Sequence, residues 1–113
     1  MNFSKIHVKE SPQKGLGVFA SANIEKDEII EIAPFIEDVC YPKDCLLNKY
    51  IFASPYIGKV RVIFGYGSIY NHSNTPNASY KPYNERYYIF TALRRITKDE
   101  EICTNYGSAY LFN

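Results

Sequence analysis

The apolar residues of this sequence come in short bursts. Ile, Val, Phe and Tyr gather in the stretches Ile6 to Lys9, Val18 to Ala20, Glu28 to Ile32, Val60 to Phe64, Ser79 to Tyr80, Tyr87 to Leu93 and Ile102 to Thr104, separated by residues that favour turns. β-branched and aromatic side chains suit a pleated surface, and runs of about 4–8 residues between turn formers read as strands. Only Asp44 to Phe52 has a helical pattern, with Asp44 as its cap. The sequence predicts a mostly β protein, β-rich with short helices.

A chain of 113 residues has room for one hydrophobic core, so residues 1–113 are expected to form a single domain. Its 46% hydrophobic and 22% charged residues are ordinary for a globular protein and argue against disorder. A net charge of +1 lacks the basic excess that phosphate-dominated binding needs, so nucleic acid is not an expected direct partner. The first residues carry no apolar signal run, and no segment approaches the ~18 apolar residues of a membrane span. An intracellular protein with no membrane partner is predicted. Cys40, Cys45 and Cys103 lack paired spacing and nearby histidines, which speaks against a metal site and for reduced, mostly buried thiols.

Charge is unevenly placed. Residues 21–40 hold Glu25, Asp27, Glu28, Glu31, Glu37 and Asp38 against Lys26, whereas 81–98 hold Lys81, Arg86, Arg94, Arg95 and Lys98 against Glu85. Two solvated faces of a neutral protein are the default reading of such runs. The acidic segment has a second reading, as an attractor for a basic peptide. One pattern recurs: Ile24-Glu25-Lys26-Asp27-Glu28-Ile29-Ile30 and Ile96-Thr97-Lys98-Asp99-Glu100-Glu101-Ile102 both read Ile-x-Lys-Asp-Glu-x-Ile, a polar turn launching a strand.

Three motifs remain. Gly15-Leu16-Gly17-Val18-Phe19-Ala20 fits the loose dinucleotide pattern, yet Ser11-Pro12 stands where a leading strand belongs and no amphipathic helix follows. A pair of turn glycines is the plain reading, unless a ligand must approach the backbone. Asn71-His72-Ser73-Asn74-Thr75-Pro76-Asn77-Ala78 reads by itself as a loop; its two glycosylation-like triplets, and a third at Asn2, are chance matches without a secretory signal. Glu100-Glu101-Ile102-Cys103-Thr104-Asn105-Tyr106-Gly107 runs through a strand into Tyr-Gly, and alone Tyr106 is one packing tyrosine among eleven.

In this order and spacing the three motifs resemble the SET methyltransferase family, from about Ile6 to Tyr110, and the short chain looks most like its stand-alone viral members, which methylate histone H3. The resemblance implies a SET-domain β-clip fold with a C-terminal pseudoknot. It also implies S-adenosylmethionine as methyl donor, giving S-adenosylhomocysteine, and a lysine-containing peptide as substrate. A histone tail, met in the nucleus, leads among such substrates. Lys14, Gly15, Leu16 and Gly17 would lie along the methionine part of the cofactor, Asn71 at its amino and carboxylate end, and the backbone of His72 at the adenine. Tyr106 would be the catalytic hydroxyl, Tyr50 a second catalytic tyrosine, both beside the cofactor, with Tyr50, Tyr106 and Tyr110 lining the lysine channel.

Two departures stand out. Thr104 occupies the position where many relatives carry the Phe or Tyr that governs how many methyl groups are added. Neither a segment preceding the SET domain nor a cysteine-rich zinc segment following it is expected, so the tail, a bound peptide or a second copy in a homodimer would complete the pocket. The competing reading is a catalytically silent SET-fold module that binds a lysine-containing peptide.

Overall fold

The computed structural model describes residues 4–12, 15–39, 51–54, 56 and 59–105. Among these residues the chain forms strands β1 (Ile6–Ser11), β2 (Gly15–Ala20), β3 (Ile29–Val39), β4 (Ile51–Ala53), β5 (Lys59–Ile63), β6 (Asn71–His72), β7 (Ala78–Pro82), β8 (Tyr87–Ala92) and β9 (Glu101–Thr104), and no helix. They make a four-stranded sheet in the order β1-β2-β9-β6 and a five-stranded sheet in the order β4-β5-β3-β8-β7.

All seven predicted strands are present, several with longer bounds. Alternation explains them: in β8 Tyr88, Phe90 and Ala92 point inward, and in β9 Ile102 and Thr104 do. The core is aromatic at its centre, with the Tyr70 and Phe90 rings stacked at 4.6 Å and Tyr80 stacked on Phe90 at 5.6 Å. Tyr70, Phe90, Ile96 and Ile102 are fully buried, and each such apolar side chain contributes about 1.5–3 kcal/mol.

Three expectations are corrected. Ile51 and Phe52, the end of the predicted helix, are extended in β4, where Phe52 buries its ring against Tyr80; the rest of that stretch lies outside the described residues. Strand β3 runs on to Val39, past Pro34, which made the second half unreadable because proline donates no ladder hydrogen bond. The structure puts Pro34 where β3 changes partner: Ile29 to Pro34 pair with β8, and Phe35 to Val39 pair with β5. Gly15 and Gly17 belong to β2 rather than to a turn.

The repeated Ile-x-Lys-Asp-Glu segments meet each other. Ile24 and Ile96 exchange two backbone hydrogen bonds of 2.8 Å and are both buried. Asp27 and Asp99 both adopt left-handed φ angles, 69° and 74°. The Asp27 N–H donates to Ala92 O and the Asp99 N–H to Ala20 O. Each turn is closed by its own glutamate, Glu28 accepting from the Glu25 N–H and Glu100 from the Thr97 N–H. The two copies form a local two-fold that joins the sheets, with Phe19 facing Glu101 in one and Ile29 facing Thr91 in the other.

Candidate functional site

The three motifs converge on the four-stranded sheet. Strand β9 lies between β2 and β6: Val18 pairs with Ile102 on one side, and Asn71 and His72 run parallel to Cys103 and Thr104 on the other. Residues that follow β6 also bond across to β9, the Ser73 N–H to Thr104 O at 2.9 Å and the Asn77 N–H to Cys103 O at 3.2 Å. Asn77, 4% exposed, makes the join with its side chain, donating from Nδ2 to Glu101 O at 2.8 Å and accepting the Cys103 N–H at 2.9 Å. Satisfying both ends of a buried carboxamide fixes the register of this parallel pair.

Gly17, Asn71 and Glu101 touch at one point. Asn71 Nδ2 donates to Leu16 O at 3.0 Å and to Glu101 Oε2 at 2.7 Å, while Ser11 Oγ donates to Glu101 Oε1 at 3.1 Å. A β-carbon on Gly17 would sit 2.5 Å from Glu101 Oε2 and 3.0 Å from Asn71 Nδ2, closer than side chains pack. Glycine stands at 17 because a carboxylate and a carboxamide occupy the space beside it. Gly15 differs: its φ is 74°, and a β-carbon there would meet nothing within 4 Å. Leu16 between them is 56% exposed, so this end of β2 lies at the surface.

The chain entering Asn71 is anchored from below. The Tyr70 hydroxyl donates to Glu31 Oε1 at 2.8 Å in the core, and the Tyr66 N–H donates to Glu31 Oε2 at 2.9 Å. Burial raises the Glu31 pKa above the usual carboxylate range, and burial followed by the nearby Glu31 charge raises the Tyr70 pKa well above its ordinary value. Beyond Asn71 the His72 ring meets Asn74 Oδ1 at 3.1 Å, and its backbone is held in β6 against Thr104.

Of the residues singled out from sequence, the structure brings Gly17, Leu16 and Asn71 into one cluster, with Gly15 and His72 as their chain neighbours. Lys14, Tyr50, Tyr106 and Tyr110 lie outside the described residues, as do Cys40, Cys45 and the C-terminal segment of the expected pseudoknot. Cys103 is half-buried rather than buried.

Sequence reading missed Glu101 and Ser11. The signal available was strand alternation, which turns neighbouring Glu100 and Glu101 to opposite faces, Glu100 toward Arg94 and Glu101 toward Asn71. The acidic stretch 21–40 is not a free anionic face: Glu25 pairs with Arg95, Glu28 with Lys5 and Glu37 with Arg61, while Glu31 is buried. A cleft of about 440 Å³ on the other sheet, lined by Glu31, Pro34, Tyr83 and Tyr87 among others, contains none of the motif residues.

Comparison with known proteins gives the same arrangement a context. The family model described as SET domain matches residues 15–107. The chain is 33% identical over 115 residues to the Schizosaccharomyces pombe histone-lysine N-methyltransferase specific for H3 lysine-37, covering 96% of this chain and 78% of that protein. It also superposes, with a TM-score of 0.79 and 33% identity, on a crystal structure from Plasmodium falciparum described as a histone methyltransferase, covering 95% of this chain and 96% of the other.

Proposed function

Because the chain belongs to the SET domain family, we propose that it is a protein-lysine N-methyltransferase that moves a methyl group from S-adenosylmethionine to a lysine side chain of a histone tail. The observation that carries this reading is the meeting of Gly17, Asn71 and Glu101 where β2, β9 and β6 lie side by side. Sequence segments some thirty to ninety residues apart meet at one spot on a sheet rim, where their hydrogen-bonded polar groups stand beside the exposed end of β2, a place suited to a ligand that must lie against backbone.

The residues fit the cofactor. Gly15 leaves open space beside it, and Asn71 offers a polar group at the same rim. Lys14 to Gly17 would hold the methionine part, Asn71 its polar end and the His72 backbone the adenine. When bound, the cofactor supplies a methyl group on a positively charged sulfur, transferred by in-line displacement.

The chain's task is then to align an uncharged amine and exclude water, and positioning supplies much of the rate. A free lysine has a pKa near 10.4, and burial beside a positive sulfur lowers it, so no strong base is required. Tyr106, which follows β9 by two residues, would orient the amine through its hydroxyl. Tyr50 and Tyr110 would wall the channel, their faces favouring a cationic head by about 0.5–2 kcal/mol. Thr104 is 1% exposed in β9, and its identity bears on how many methyl groups are added.

The histone substrate, with a nuclear location, is supported by the substrates named for the yeast and malaria-parasite relatives. Likeness to minimal viral members and a homodimer belong to the same proposal, the likeness resting on the motifs. The test is to incubate the purified chain with labelled cofactor and whole histones, beside unrelated basic proteins and a Tyr106→Phe variant. Label should appear on histones and fall at least about a hundredfold in the variant, whose melting temperature stays near wild type. Equal labelling by the variant would remove Tyr106 from the chemistry, and absence of label from every protein would remove the activity.

A further inference from the structure

The cleft of about 440 Å³ on the five-stranded sheet lies where β3, the β7–β8 hairpin and the chain just after β5 come together. Two tyrosines give it aromatic surface, Tyr83 being 57% exposed and Tyr87 39%. The hairpin tip that carries them is locked: Asn84 Oδ1 accepts from the Arg86 and Tyr87 N–H groups at 2.8 and 3.0 Å, and the Tyr83 N–H donates to Tyr87 O at 2.8 Å. Both neighbouring segments are tied to β3 at one corner, the Phe64 N–H donating to Pro34 O at 2.8 Å and the Phe35 N–H to Arg86 O at 3.0 Å. The backbone of the cleft is therefore set before any ligand arrives, which lowers the cost of binding.

The charged residue in the lining is acidic. Glu31 is 7% exposed, accepts the Tyr70 hydroxyl on Oε1 within the core and the Tyr66 N–H on Oε2, and makes no ion pair among the described residues. Gly65, which also lines the cleft, stands against the second oxygen: a β-carbon there would collide with Glu31 Oε2. Burial raises the Glu31 pKa, as expected of a carboxylate without a counter-charge. No Lys or Arg shares the lining, so the cleft has a negative group in its wall and nothing positive to offset it.

We propose that this cleft binds a lysine side chain of a partner protein, with the aliphatic stem against Tyr83, Tyr87 and Pro34 and the ammonium beside Glu31. Tyrosine faces attract a cation, and the apolar walls suit a four-carbon stem. Ammonium is favoured over guanidinium because Oε1 is engaged in the core, which leaves one oxygen where a two-pronged arginine contact needs both. The site is separate from the rim where Gly17, Asn71 and Glu101 meet, and it stands or falls independently of methyl transfer.

Nuclear magnetic resonance on the full chain tests this, with n-butylammonium as the probe. The probe should shift the Gly65 amide and the Tyr83 and Tyr87 ring resonances saturably, with a dissociation constant on the order of 1–10 mM, and leave Leu16 and Asn71 unmoved. Uncharged n-butanol should bind at least about tenfold more weakly, and n-propylguanidinium at least about threefold more weakly. Glu31→Gln, which keeps the shape and removes the charge, should abolish most of the advantage of the amine over the alcohol. Tyr83→Ala alters an exposed hairpin residue, should weaken the amine about threefold, and serves if the Gln variant fails to fold.

Alcohol that binds as well as amine would overturn the proposal, as would shifts that spare the cleft or an affinity unchanged in Tyr83→Ala. Guanidinium that binds as well as the amine would overturn the choice of lysine. None of these measurements involves the methyl donor, so an inactive chain and an empty cleft are separate outcomes.

Discussion

Neighbouring glutamates here have separate employment. Glu100 turns to Arg94, whose guanidinium hydrogen-bonds it and lowers its carboxyl pKa to about 2, while Glu101 turns to Asn71. A carboxyl with a folded-state pKa below its unfolded value contributes stability above the unfolded pKa and loses it as pH falls through the folded one. For Glu100 that window runs from 4.5 down to about 2. Arg94 is 54% exposed, so water screens the pair and the contribution is held to about 1 kcal/mol. Glu100→Gln should therefore flatten the acid limb of a stability profile measured by urea unfolding below pH 4.5 and cost about 1 kcal/mol at neutral pH; an unchanged acid limb would show that the pair contributes nothing. Glu101 was illegible as a functional residue for a plain reason. In sequence it is the second of two acids after a turn, and only the strand's two-residue period separates their faces.

Among elements, the repeated Ile-x-Lys-Asp-Glu turn was visible in the sequence, but the contact between its two copies was not. Each turn needs a residue at left-handed φ, and aspartate tolerates that region better than a branched side chain does. Replacing Asp99 by Gly should thus change stability by only a few tenths of a kcal/mol, whereas Asp99→Val should cost about 1–2 kcal/mol, read from denaturant midpoints. Equal effects would mean that the backbone angle is not what selects the residue. Strand prediction succeeded where side chains alternate, as in β8 and β9, and failed in β4, β6 and the second half of β3. Those three have local sequences that point elsewhere: a helical pattern before Phe52, a polar loop signature at Asn71 and a proline at 34. Each is made a strand by its partner, β5 for β4 and for the second half of β3, and β9 for β6.

For the whole molecule, two sheets share one aromatic core, and the rim of the smaller sheet gathers residues from both ends and the middle of the chain. If that rim binds the methyl donor, ligand at a hundred times its dissociation constant should stabilise the native state by about 2.7 kcal/mol, a rise of several degrees in melting temperature. Asn71→Ala should melt near wild type without ligand and lose most of the ligand-induced rise. A rise that survives in Asn71→Ala would place the bound ligand elsewhere. A rise in wild type without any methyl transfer would favour the silent binding module.

Side-chain alternation, turn chemistry and residue spacing are local properties, and from them the sequence establishes that the chain is mostly β, that seven stretches are strands, and which three motifs carry the family likeness. It left open why those motifs matter to one another. Tertiary contacts answer that, since β6 is a strand only against β9, Glu101 and Asn71 take the space a β-carbon on Gly17 would need, and the Asn71 nitrogen is held by two acceptors from distant parts of the chain.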